Sequence, residues 1–276
     1  MNPGVYAGVH VFGAYATGSV ERSCSVCVAI PSAPALLLAG PLLAQSPPAC
    51  RTDAVPRPEP LLREADVMWS ERVWRTIDLT DPVNRPLGPG SDSSAACGPL
   101  FEVLRFCLTT EASITAYDPG PNGNDDRFTR AFRAVQVDSL LAPLRAADII
   151  GYRLNEDWIF EKQRSVLLVR IIGFAPLVEV RGEDGEYRGV RELCWLYWPE
   201  CRKALAQWPV SCALPDGTRP SYEQLLATRR FSSFVWKVSN VQDRALHQVL
   251  TGMDAVREAV RLERRLRDFE RDLWQY

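Results

Sequence analysis

The sequence predicts an α+β fold: a central, mainly antiparallel sheet packed by several helices, with a long C-terminal helix. Three observations predict it. In 149–160, Ile150, Tyr152, Leu154, Trp158 and Phe160 share one parity, while Arg153, Asn155 and Asp157 fill the other. Alternation with period two marks a strand with one buried face. Two further strands are expected over 166–180 and 190–198; within them 166–177, apart from Arg170, and 193–198 are apolar on both parities, as in strands covered on both sides. The turns between these three runs are short and polar, which favours an antiparallel meander. Finally, Ala255, Ala259, Leu262, Leu266, Phe269 and Leu273 step alternately by four and three, a heptad seam on one helix face.

The chain has 276 residues and a formal net charge of −2. That length fills one substantial core, and that charge supplies no basic field for nucleic acid. Only Lys162, Lys203 and Lys237 are lysines; the other basic residues are arginines. A GC-rich genome gives this bias, and arginine's planar donors also suit carboxylates at interfaces. Residues 1–22 are small and glycine-rich. The apolar stretch 26–44 is broken by Pro31, Pro34 and Pro41, which makes it a poor membrane span. It resembles the apolar region of a secretory signal, with cleavage after Ala44. The expected organisation is a leader over 1–44 with an uncertain start codon, a Pro-rich linker or extended arm over 45–60, and one α+β domain over 61–276. Cys24 and Cys27 form a C-x-x-C within the leader. Cys50, Cys97, Cys107, Cys194, Cys201 and Cys212 remain after it. An oxidising compartment permits disulfides among them, and buried free thiols fit equally well.

Along the expected domain, Leu62, Ala65, Trp69 and Val73 recur at helical spacing, with Met68, Trp74 and Ile77 widening the apolar face. This predicts a helix over 61–79. Two tryptophans exceed what a surface helix needs, and Trp and Arg are enriched at interface hot spots. Trp69, Arg72 and Trp74 are therefore the partner-binding candidates. Residues 81–96 form a loop rich in proline, glycine and serine. A short amphipathic helix follows over 100–108, then a strand over 113–117. Asn122, Asn124 and Asp126 alternate as at the start of a calcium loop, but the glycine and distal glutamate of such a loop are missing. A helix bent at Pro143 is expected over 137–148. After the sheet, Pro199 opens a helix to about residue 208. Ser221 caps another running to about Trp236, with Glu223 and Gln224 in its first turn.

The case for an enzyme is thin. His10 and His247 are the only histidines, too few for a histidine metal site. A Ser-His-Asp triad would have to use His247, which lies in a polar helical stretch. Neither a phosphate-binding G-x-x-x-x-G-K nor a G-x-G-x-x-G after a strand is present. Adjacent Glu156 and Asp157 point to opposite faces of one strand and cannot flank a bond together. No catalytic, cofactor or metal residues are assigned.

The order of motifs carries a resemblance. Arg63-Glu64-Ala65-Asp66-Val67-Met68-Trp69-Ser70, Val73-Trp74-Arg75-Thr76-Ile77-Asp78-Leu79 and Ile114-Thr115-Ala116-Tyr117-Asp118 come first. Glu156-Asp157-Trp158-x-Phe160, Arg170-Ile171-Ile172-Gly173-x-Ala175-Pro176 and Trp195-x-Tyr197-x-Pro199 follow. Phe231-Ser232-Ser233, Asn240-Val241 and Asp268-Phe269-Glu270-x-Asp272-Leu273-Trp274 complete the set. In this order the chain resembles the gliding-motility family GldN, also called PorN, of the type IX secretion system. It departs at Gly88-Pro89-Gly90, where the family tends to carry aromatics after Pro-Leu. The resemblance implies a periplasmic, non-catalytic component at the inner face of the outer membrane. Such a component assembles with the lipoprotein GldK (PorK) into a ring and meets GldM (PorM). The competing reading is a periplasmic hydrolase using dispersed carboxylates. A deep pocket with two converging acids would favour the hydrolase; grooved or apolar outer patches would favour the ring component.

Overall fold

The computed structural model describes residues 50–90, 97–120, 125–242 and 244–272. All of them belong to one compact unit, Ser46–Tyr276. The expected leader, Cys24 and Cys27 within it, Asn122, Asn124, Leu273 and Trp274 lie outside the described residues. The fold is α+β. The strands are β1 (Val67–Asp78), β2 (Ala116–Tyr117), β3 (Ile149–Glu161), β4 (Val166–Arg181), β5 (Tyr187–Glu192), β6 (Trp195–Tyr197) and β7 (Phe234–Val238). The helices are α1 (Leu100–Thr109), α2 (Ala134–Leu141), α3 (Trp198–Ala206), α4 (Tyr222–Ala227), α5 (Leu246–Val249) and α6 (Met253–Asp272). The sheet runs β2-β6-β4-β3-β1-β7, with β5 beside the outer part of β4, and its pairings are antiparallel.

The meander read from the sequence is the centre of this sheet, with two refinements. The third run is two short strands: β5 pairs with β4 from Leu177 to Arg181, and β6 pairs with it at Gly173 and Phe174. Ile172 also sits at a bulge, since Asn155 faces Gly173 while Glu156 faces Ile171. The extra residue flips parity, so Ile171 is buried in the core and Ile172 only half-buried.

The segment 61–79 is not a helix but mostly β1, preceded by one short 3-10 turn. The misreading has a physical cause. Apolar residues at 65, 69, 73 and 77 are four apart, which keeps one face of a helix and, four being even, also one face of a strand. What decides is pairing: β1 lies antiparallel to β3 along its length and to β7 from Val73 to Thr76. The helix capped by Ser221 exists, and the Ser221 hydroxyl accepts from Gln224 N at 3.1 Å. It ends at Ala227, not near Trp236. Arg229 takes a left-handed φ of 56°, and Arg230 N donates back to Leu225 O at 3.1 Å. Trp236 therefore belongs to β7. The strand expected over 113–117 shrinks to β2, and the helix expected over 137–148 becomes α2 followed by a 3-10 turn at Ala146–Asp148.

One face of the sheet carries the main core. Ile77, Tyr152, Leu154 and Phe174 are buried there against Leu104, Leu141, Trp198 and Leu225, one each from α1 to α4. Towards β7 the same face continues with Val73, Trp158 and Val235 beneath Leu262 and Leu266 of α6. Two ion pairs set α6 on β1: Arg75 to Glu263 at 2.9 Å and Arg265 to Glu71 at 2.8 Å. The opposite face holds a smaller cluster of Trp74, Ala175 and Trp195, with Tyr117, Phe128 and Trp236 at its margin. No described helix lies in that cluster; the loop bearing Phe128 does. Before β1, residues 50–60 form an extended strap. Thr52 N donates to Gln207 O at 2.8 Å, and Glu59 pairs with Arg202 at 3.0 Å.

Candidate functional site

β1 outruns its neighbour. β7 accompanies it only over Val73–Thr76, and Ser239 N makes one further bond to Arg72 O at 2.8 Å. Over 67–72, β1 has a described strand on one side only, and its burial alternates between half-buried and exposed. A groove of about 710 Å³ opens along this edge, lined by Trp69, Arg72, Trp74, Asp126, Arg127 and Asp157 among others.

The three sequence candidates all line this groove, but not on one helix face. On a strand, Trp69 and Trp74 have opposite parity. Trp69 is half-buried and packs on the helical side with Val73 and Trp158. Trp74 is buried on the other side with Ala175 and Trp195. Its indole Nε1 donates to Asp126 Oδ2 at 2.6 Å, and Asn155 Nδ2 donates to the same oxygen at 2.8 Å. Lys237 Nζ lies 4.1 Å from the Trp74 ring centroid, a cation–π contact. Arg72 forms a two-pronged pair with Asp157, at 2.7 and 3.0 Å. Both side chains are partly exposed, so the pair adds little to stability; it does hold a planar guanidinium at the groove wall. That hydrogen bond, against the opposing cost of burial, raises the Arg72 pKa.

Sequence reasoning missed Asp126 and Asp157 as groove residues. The sequence pattern puts Asp157 on the polar parity of a strand, where it lies. Asp126 sits in a loop 52 positions from Trp74, and nothing local signals that contact. Two acids thus line the groove, but each is engaged: Asp157 by Arg72, Asp126 by Trp74 and Asn155.

A second, apolar hollow of about 420 Å³ lies between β7, α5 and α6, lined by Phe234, Trp236, Val256, Ala259 and Val260 among others. Phe234 is 47% and Val256 55% exposed. The His247 ring rests tilted on Trp236 with centroids 5.6 Å apart. Burial and the nearby Arg153 charge lower its pKa. Among the described residues, no group of three or more His, Cys, Asp or Glu side chains is placed to hold a metal ion. No described helix is long and apolar enough to cross a membrane.

The family model for gliding motility associated protein GldN matches residues 62–275. The chain belongs to the GldN family. The match runs from before β1 through α6, so it contains the groove, the apolar hollow and the whole sheet. GldN proteins are structural components of the gliding-motility and type IX secretion machinery. No curated protein matches this GldN-family chain.

Proposed function

We propose that this GldN-family protein is a periplasmic, structural part of the type IX secretion and gliding machine. It assembles with the lipoprotein GldK (PorK) into a ring at the inner face of the outer membrane and contacts GldM (PorM). The observation that carries this reading is the family match over 62–275. On it, residues 1–44 are removed during export, 45–60 lead into the domain, and 61–276 do the work.

The groove along β1 is the proposed contact surface. It combines an accessible strand edge, which an incoming segment can extend by backbone hydrogen bonds, with a half-buried tryptophan and a preset guanidinium. Trp and Arg of this kind dominate binding energy at interfaces. The hydrolase reading gains nothing from the two groove acids, since both already serve as acceptors for neighbouring side chains.

The test is Trp69→Ala and Arg72→Ala in the full chain, each co-expressed with the lipoprotein partner. Folding is read by circular dichroism, affinity by titration, and assembly by sizing and electron microscopy. Truncating a hot-spot side chain costs about 2 kcal/mol of binding, roughly thirtyfold in affinity. A ring repeats that loss at every joint, so folded variants should give no rings. Folded variants that assemble with parental affinity would remove the groove from the interface. Failure of the parent chain to associate with the lipoprotein at all would overturn the functional reading itself.

A further inference from the structure

The strap rests in a built seat. Pro56, Pro58 and Pro60 stand at every second position, with Arg57 and Glu59 between them. Proline fixes its own φ and has no N–H, so such a segment is stiff and extended, and its carbonyls need donors from elsewhere. The seat supplies them. Arg202 of α3 donates to Arg57 O, and Arg170 of β4 donates to Pro60 O. Those carbonyls are three residues apart, one turn of a polyproline helix, so they face the same side. Arg202 also meets the Glu59 carboxylate at 3.0 Å. Its guanidinium is set in place from behind: Nε and a terminal nitrogen donate to Glu223 Oε1 at 3.1 and 2.8 Å, and Glu223 is buried in α4. Under the segment lies a hollow of about 200 Å³, with Leu168, Val169, Ile171 and Leu226 in its lining. The seat thus reads two carbonyls and an acid between them.

These contacts do not require that strap and seat belong to one chain. They all fall within 57–60, and the link to β1 over 61–66 takes no part in them. At the head of the strap the contacts are polar too: Thr52 N donates to Gln207 O at 2.8 Å, and Arg51 Nε to Gln207 Oε1 at 2.7 Å. From 52 to 61 every residue but Pro56 is exposed. Val55 is 83% and Leu61 94% exposed, so both ends of the proline segment carry apolar side chains that this seat leaves bare. An element held by a few specific polar contacts on an exposed link is one that copies exchange at low cost, because the exchanged form makes the same contacts.

We propose that in the assembled state the strap of one copy occupies this seat on the next copy, joining subunits arm to body. The inference rests on the ring reading above and names a joint for it: the partner at the seat is the proline-spaced acidic segment of a second copy. That this segment fits this seat is shown by the contacts of Arg202 and Arg170. One-way exchange is a head-to-tail contact, the kind that closes into a ring when the rotation between subunits allows it. Val55 and Leu61 then come to lie at the joint, where a second body covers them.

The test uses the full chain with the photo-crosslinking residue benzoylphenylalanine in place of Pro58, which lines the hollow. Equal amounts of unlabelled and heavy-isotope-labelled chain are unfolded together, refolded at high concentration, sized, irradiated and digested for mass spectrometry. The expected result is an oligomer in which the strap is crosslinked to β4 or α4, about half of the pairs joining a heavy peptide to a light one, as random exchange requires. Pairs of a single label only would overturn the proposal, since the strap then stays on its own body. Glu59→Ala with Arg170→Ala removes one contact from each side and leaves Arg202 on Glu223. That variant should keep the parent's circular dichroism and run as a monomer; an oligomer unchanged from the parent's would also overturn the proposal. Association with the lipoprotein, measured separately on the same samples, keeps the two readings apart. Mixed pairs without lipoprotein binding would uphold the exchange and remove the secretion reading. Lipoprotein rings with single-label pairs only would do the reverse.

Discussion

Replacing Arg153 with methionine should remove a large share of a typical protein's stability. Arg153 is 5% exposed. Its Nε donates to Glu192 Oε1 at 3.0 Å, a terminal nitrogen donates to Thr76 Oγ1, and its Cζ lies 3.8 Å from the Trp236 ring centroid. Those partners sit on β5, β1 and β7, so one side chain of β3 touches three other strands. Burial pulls its pKa down and Glu192 opposes that. Methionine keeps the stem but removes the charge, leaving the buried Glu192 carboxylate without this cation. Breaking a buried pair from one side costs about 3–5 kcal/mol, and the lost cation–π contact adds about 1 kcal/mol. The total available is about 5–15 kcal/mol. Replacing both partners, Arg153→Met with Glu192→Leu, removes both desolvated charges. The double variant should lose only about 1–2 kcal/mol, from the Thr76 and Trp236 contacts. Glu192→Leu alone leaves the Arg153 cation buried and should also cost about 3–5 kcal/mol, so the two single losses together exceed the double loss by about 5 kcal/mol or more, which is the coupling between the sites. Urea unfolding of the four proteins of the cycle, followed by tryptophan fluorescence, measures it. An additive cycle, with coupling below about 0.5 kcal/mol, would refute the claim that this pair is a desolvated tie across the sheet.

Gly173→Ala should destabilise by about 1–3 kcal/mol, because a Cβ there meets the Phe128 ring and lies 2.8 Å from Leu196 O. Phe128→Leu on top should recover part of that loss in a melting experiment. Asp216→Asn should lower the urea midpoint at neutral pH. Hydrogen bonds from Thr218 and Arg230 hold the Asp216 carboxyl down to about 2, so its contribution is present above the ordinary carboxylate value and disappears as pH falls through about 2. Parent and variant midpoints should therefore converge between about pH 4 and pH 2. N-terminal sequencing of the native protein should begin after Ala44 in a periplasmic fraction; a retained leader in the cytoplasm would contradict the export reading.

The sequence alone determined what depends on neighbours along the chain. Alternation, the polar turn after Glu161 and the turn at Gly185, where φ is 78°, marked the central meander. The Ser221 cap and Pro199 placed two helix starts. The ordered motifs placed the chain in its family without any tertiary information. Tertiary structure decided what depends on pairing. A four-residue apolar step satisfies helix and strand alike, so only β3 and β7 alongside made 67–78 a strand. The end of α4 turned on one left-handed residue, Arg229, a conformation that no glycine announced. The groove followed from the same kind of fact. Trp69, Arg72 and Trp74 were legible as unusual residues, but the carboxylates that hold Arg72 and Trp74 came from distant positions. Arg153 met Glu192 for the same reason. Local pattern encodes which face of an element is apolar, whereas which polar groups meet across strands is set by register, and register exists only once the sheet has formed.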